Sequence, residues 1–219
     1  MVTVTKRYHK VKTAVKEIRA VIEDSRAKVT GGITSGLEIW EAAVMPYLLN
    51  NSETRSELSK EAIELLENLQ LEFLRNLLDT PVTCPKPSLL WETGTITMNN
   101  KIKKKKLLFY HHLKQLPHQS LAWEIGDIQE SLEFPGLINE CKDFIRVLGL
   151  PEPSSCTKFQ WKKALNKMIV EVNKNDLIEE VSAKEYKKIN LNEMKNDELE
   201  RKPYLSGLEI NSARMKFGS

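Results

Sequence analysis

The sequence predicts an all-α fold: an irregular multi-helix bundle with a polar C-terminal helical part that is solvated or mobile. Two observations carry that expectation. Apolar residues recur at three- and four-residue steps along most of the chain, and no run alternates with period two for long enough to make a strand. Glycines, prolines and two capping signals fall between the apolar stripes, where helices should start and stop.

Taken in order, Tyr8, Val11, Val15, Ile18 and Ile22 define an amphipathic helix whose other faces carry Lys12, Lys16 and Arg19. Gly31 and Gly32 end it, because paired glycines favour a break. Leu37–Leu49 is apolar nearly all round, through Ile39, Trp40, Ala43, Val44, Tyr47 and Leu48, and reads as a buried central helix. Pro46 should kink it, since proline lacks the amide donor and its ring meets the preceding turn. Thr54 with Glu57 forms a capping box for a helix striped by Leu58, Ala62, Leu65, Leu69, Phe73 and Leu77, which Thr80-Pro81 stops. Pro81, Pro85 and Pro87 force an irregular connection. A short helical turn through Leu89–Trp91 follows, closed by Gly94.

A lysine-rich helix comes next, with Met98, Ile102, Phe109, Leu113 and Leu116 on one side. Leu121, Ile125, Ile128 and Leu132 mark a short helix, and Phe134-Pro135-Gly136 turns the chain. Leu137, Cys141, Phe144 and Leu148 mark another, ended by Gly149 and Pro151. The Pro-Glu-Pro-Ser-Ser stretch at 151–155 reads as a linker, dividing a helical domain over 1–150 from a helical extension over 151–219. Beyond it, Thr157 with Gln160 is a second capping box, opening a helix through Trp161, Leu165, Met168 and Val172. From Asn173 the chain becomes more polar, and Lys184–Lys202 reads as a solvated or mobile helix.

The chain of 219 residues is long enough to bury a core without disulfide staples. Three cysteines, Cys84, Cys141 and Cys156, cannot all pair and fit a reducing, intracellular location, nuclear or cytoplasmic. No apolar stretch approaches the roughly 20 residues of a membrane span, and Met1–Lys16 lacks the apolar core of a secretory signal. Membrane partners are therefore not expected. The net charge of +3 hides alternating blocks. Residues 1–35 carry eight cations and three anions, residues 36–98 four and ten, and residues 99–114 six and none. Residues 115–157 carry two and seven, and residues 158–219 thirteen and ten. Lysine outnumbers arginine 25 to 8, a bias that favours diffuse phosphate contacts over specific base recognition.

No reaction centre is legible. The six aspartates are isolated, which argues against two-metal nucleotidyl transfer, and no glycine loop matches a phosphate cradle. His111 and His112 project about 100° apart on a helix and so should not share one metal. No cofactor is implied. The informative feature is Lys101, Lys103, Lys104, Lys105 and Lys106, followed by Tyr110. Lys103, Lys106 and Tyr110 share one side of a helix, Lys101, Lys104 and Lys105 broaden it, and Ile102, Phe109 and Leu113 anchor the opposite side. That geometry predicts a row of ammonium groups held off the core to track phosphates. A solvated lysine face, a nuclear-import signal and a partner for the acidic helix at Glu57–Glu72 are the competing readings.

Pro46-Tyr47-Leu48-Leu49-Asn50-Asn51-Ser52-Glu53-Thr54-Arg55 resembles a segment found just after the reverse-transcriptase domain of LINE-type (non-LTR) retrotransposon polyproteins. That segment has proline, three apolar residues, Tyr-Gly, a small residue, glutamate, threonine and tryptophan. Leu74-Arg75-Asn76-Leu77-Leu78 is similar to the helix end that follows it. Lys105-Lys106-Leu107-Leu108-Phe109-Tyr110 with His112 resembles a basic pair leading into an apolar run and a histidine. Ala213-Arg214 with Phe217 resembles an Ala-Arg-x-x-Phe element. Asn50-Asn51 in place of Tyr-Gly, and Arg55 in place of tryptophan, depart from the pattern. The polymerase aspartates, an endonuclease and a Cys/His zinc motif have no counterpart here. The resemblance therefore implies a non-catalytic thumb and post-polymerase region, as a fragment, a decayed copy or a host-retained reading frame. Its expected partners are RNA or RNA–DNA duplex backbone and a reverse-transcriptase domain, with self-association through an uncovered apolar helix around Trp40, Val44 and Leu48. The alternative is a helical protein–protein interaction module that binds no nucleic acid.

Overall fold

The computed structural model describes residues 32–54, 58–132, 136–184 and 191–200, with 189 and 202. The expected helix over 8–22, Glu57, Phe134-Pro135 and the Ala213, Arg214 and Phe217 element lie outside the described residues. Every regular element among those described is helical, and none is a strand. The helices are α1 (Gly32–Ile39), α2 (Met45–Leu48), α3 (Lys60–Leu78), α4 (Lys86–Thr93) and α5 (Met98–Lys114). They continue as α6 (Leu121–Ser131), α7 (Leu137–Leu148), α8 (Lys158–Lys184) and α9 (Leu191–Asn196). A π turn at Trp40–Val44 joins α1 to α2, and Pro153–Ser155 forms a 3-10 turn.

The chain divides into two units that interleave in sequence. The first draws on Met1–Leu48, Lys60–Met98 and Lys174–Ser219, the second on Leu49–Ser59 and Asn99–Asn173. Residue 150 lies inside the second unit and marks no boundary between them. The expected linker is anchored at one residue: Pro153 is buried and Gln115 Nε2 donates to its carbonyl at 3.1 Å, while Pro151, Glu152, Ser154 and Ser155 are exposed.

In the first unit, Ile33, Leu37 and Trp40 from α1 and the π turn are buried, and the Trp40 ring stacks on Phe73 of α3 with centroids 4.2 Å apart. Burying each such side chain contributes roughly 1.5–3 kcal/mol. Helix α1 comes so close to α3 that a Cβ on Gly36 would run into the Leu77 side chain. The disturbance expected at Pro46 takes the form of the π turn. Proline offers no amide to the carbonyl four residues back, and the turn before it widens so that the Met45 amide reaches Trp40 O. Trp40, Val44 and Leu48 are all buried, so the apolar helix expected to be left uncovered is covered.

Helix α3 starts at Lys60, not at Thr54, whose hydroxyl donates to the Asn51 carbonyl at 3.2 Å. Three helices then end alike. The first residue past the helix is left-handed (Asp79, φ 51°; Gly94, φ 61°; Gly149, φ 60°), and the next amide bonds back five residues. Those bonds are Thr80 to Arg75, Thr95 to Leu90 and Leu150 to Ile145, each at 3.0 Å. The C-terminal part is less solvated than its composition suggests. Met194 and Leu199 are buried, the Lys202 amide donates to Glu92 O at 3.2 Å, and its ammonium sits 5.4 Å from the Trp91 ring centroid.

In the second unit, Ile102 and Leu107 of α5, Ile138 and Cys141 of α7, and Trp161, Leu165 and Ile169 of α8 form the core. A buried pair, Asn100 and Asn173, joins α5 to α8 through a 3.1 Å amide–carbonyl bond. Trp161 Nε1 donates to Leu107 O at 3.2 Å. Helix α8 opens with the expected capping box. The Gln160 amide donates to Thr157 Oγ1 at 3.3 Å, and the Thr157 amide returns to Gln160 Oε1 at 3.0 Å.

Candidate functional site

The lysine run lies on α5 as expected, but that helix is flanked on more than one side, and most of the cations turn to the protein. Lys106 is the clearest case. Its side chain is 3% exposed and its ammonium contacts both Glu140 oxygens, at 2.6 and 2.8 Å. Lys105 pairs with Glu53 at 2.8 Å and donates to Leu49 O at 2.6 Å. Lys103 lies over the Phe144 ring, 5.4 Å from its centroid. Lys101 is buried, and Lys104 is half-buried. Tyr110 is buried too, and burial pushes its hydroxyl pKa well above the usual range. The expected row of ammonium groups off the core therefore does not form at Lys101 and Lys106. The side shared by Lys106 and Tyr110 faces inward because α7 brings a carboxylate to meet it.

Helix α8 offers what α5 does not. Lys158, Lys162, Lys163 and Lys167 are all exposed, and none of them forms an ion pair among the described residues. No aspartate or glutamate occurs between 158 and 170 to neutralise them. At about 100° per residue the four make two rows, with Phe159 between them. That phenyl ring is 77% exposed. An open pocket of about 590 Å³ adjoins the first row, lined by Lys105, Phe109, His112, Gln115, Lys158 and Lys162, among others. Glu53, which pairs with Lys105, also lines it, so its lining carries both signs of charge.

Capping chemistry and apolar period mark the start of α8 and its buried stripe but give no weight to these lysines. The signal was present: a helix opened by Thr157 that runs to 170 with four lysines and no acid.

His111 is buried, stacks on Trp161 with centroids 5.4 Å apart, and has Nε2 3.1 Å from the Cys156 carbonyl. His112 is exposed, and His118 sits edge-on to Trp123. Burial pushes the Cys141 thiol up to about 12, with Glu140 adding to the effect and Lys106 opposing it, so little of it is thiolate at neutral pH. Among the described residues no group of three His, Cys, Asp or Glu is placed to hold a metal ion, and no helix is long and apolar enough to cross a membrane. Comparison with family models, with curated proteins and with solved structures finds no match for this chain.

Proposed function

We propose that this chain is a non-catalytic helical region that binds the backbone of RNA or of an RNA–DNA duplex, with α8 as the contact surface. The observation that carries the reading is the set of four exposed lysines on α8, unneutralised by any acid through residue 170. Ammonium groups held in two rows neutralise phosphates and release counterions without reading bases. Phe159, exposed between the rows, adds a face on which an unpaired base can stack. Lys105 and Lys106 of α5 are committed to Glu53 and Glu140 and are not part of that surface.

The likeness to the helical region after the reverse-transcriptase domain of LINE-type retrotransposons supports the same role. Asn51, which stands where that family carries glycine, has φ 61°, a left-handed conformation in which glycine is unstrained and asparagine is tolerated. The departure from the family pattern at that position is therefore conservative in backbone terms.

The test is a titration of an RNA–DNA duplex and of single-stranded RNA over a salt series. Four contacts should give a slope of log affinity against log salt near −4 on duplex, from roughly −0.9 per phosphate. Changing Lys158, Lys162, Lys163 and Lys167 together to glutamine should flatten it by about three units or more. An unchanged slope in that variant would overturn the assignment to α8.

A further inference from the structure

The open pocket of about 590 Å³ is a groove between α5 and α8 and lies wholly in the second unit. Lys105, Leu108, Phe109 and His112 line it from α5, at the i, i+3, i+4 and i+7 positions of one helical face. Lys158 and Lys162 line it from α8, one turn apart. Its volume falls in the range of about 300–1,000 Å³ usual for small-ligand sites.

Charge and ring content select the occupant. Both signs line the groove, but not equally. Glu53 is matched by Lys105 at 2.8 Å, which leaves Lys158 and Lys162, exposed and without an ion pair among the described residues. At i and i+4 the two ammonium groups are close enough to close on a single phosphate. The α5 wall supplies the Phe109 and His112 rings, against which a flat ring system stacks. A hydrocarbon chain would strip water from the polar groups of that wall and return nothing. Gln115 spends Nε2 on the Pro153 carbonyl, and its Oε1 remains to accept a hydrogen bond, which a nucleobase amino group supplies. We propose that the groove binds a nucleoside monophosphate, its phosphate held by Lys158 and Lys162 and its base laid against Phe109 and His112. A free nucleotide and the phosphorylated end of a strand both present that group. The assignment shares two lysines with the backbone-binding reading of α8 but does not depend on it.

The probe is the monophosphate of 2-aminopurine riboside, titrated into the full chain and read by the quenching of its fluorescence on stacking. Binding should saturate, and the unphosphorylated riboside should bind about ten-fold more weakly. Lys158→Gln with Lys162→Gln should bring the monophosphate down to the riboside's affinity, whereas Lys163→Gln with Lys167→Gln should leave it unchanged. His112→Ala, a change at an exposed position, should weaken both probes alike. Competition identifies the source. A short RNA that displaces the probe better with a 5′-phosphate than with a 5′-hydroxyl assigns the groove to a strand end, and displacement by adenosine monophosphate alone assigns it to a free nucleotide. Equal binding of monophosphate and riboside would overturn the proposal. So would a monophosphate affinity that the Lys163 and Lys167 changes lower as much as the Lys158 and Lys162 changes do. The salt slope on RNA–DNA duplex reads the α8 surface separately. A flat slope with saturable, phosphate-dependent probe binding removes that surface and keeps the groove, and the reverse pattern removes the groove alone.

Discussion

Helices α5 and α8 meet in one unit, and both are rich in lysine, yet they use that charge in opposite ways. Helix α5 carries five lysines within six residues, and α8 carries four within ten. On α5 the ammonium groups meet Glu53 and Glu140 or an aromatic ring. On α8 they meet solvent. The denser run is therefore the weaker candidate for an external anion. Local charge density reports how many cations a segment has, whereas acids from other segments decide how many are left to bind a partner.

The largest expected effect breaks the buried end of this comparison. Glu140→Ala would leave the Lys106 ammonium buried without its carboxylate, a loss of about 3–5 kcal/mol for a pair of this kind. Urea unfolding should show the midpoint falling with the slope unchanged. Lys106→Met, which removes the charge and keeps the stem, should cost much less. If Glu140→Ala were neutral, Lys106 would be a surface cation after all, and the contrast between the helices would collapse.

Helix identity was legible in the residues, because period and punctuation are local. The stops at Gly94 and Gly149 and the Thr157–Gln160 start are each set by backbone and side-chain chemistry within five residues. What depends on distant chain was not legible. Lys106 finds its carboxylate 34 residues away, and no spacing rule announces that. The stripe of α6 and the stripe of α7 have the same helical period, but only Leu137, Ile138, Cys141, Ile145 and Leu148 on α7 become core. Periodicity names the apolar face of a helix and is silent on what covers it. Pro151–Ser155 misled for a related reason. Prolines exclude regular helix, but a stretch without helix can still be packed, as Pro153 is.

A smaller effect sharpens the comparison through pH. Burial alone would raise the Glu130 carboxyl, but hydrogen bonds from Lys114 and Lys142 outweigh it and hold its pKa below the ordinary 4.5. A carboxyl depressed on folding contributes stability above its unfolded pKa and loses it as pH falls through the folded value. Glu130→Gln should therefore cost about 1 kcal/mol or less at pH 7, as partly exposed pairs do. The gap in thermal unfolding between the two proteins should shrink as pH falls below the ordinary 4.5 and close once it is below the folded value. A gap that persists there would mean that Glu130 acts by shape and not by charge.

The smallest expected effect is the most diagnostic. Lys162→Gln or Lys167→Gln should change stability by no more than about 0.5 kcal/mol, because each side chain is exposed and forms no ion pair among the described residues. Each should nevertheless flatten the salt dependence of nucleic-acid binding by about 0.9. Removal of Lys106 should do the reverse, lowering stability while leaving the slope alone. Those two columns, unfolding midpoint and salt slope, separate a cation that holds the fold from one that holds a ligand. A lysine on α8 that moved the first and not the second would belong with those of α5, and the contact surface would have to be sought elsewhere on the molecule.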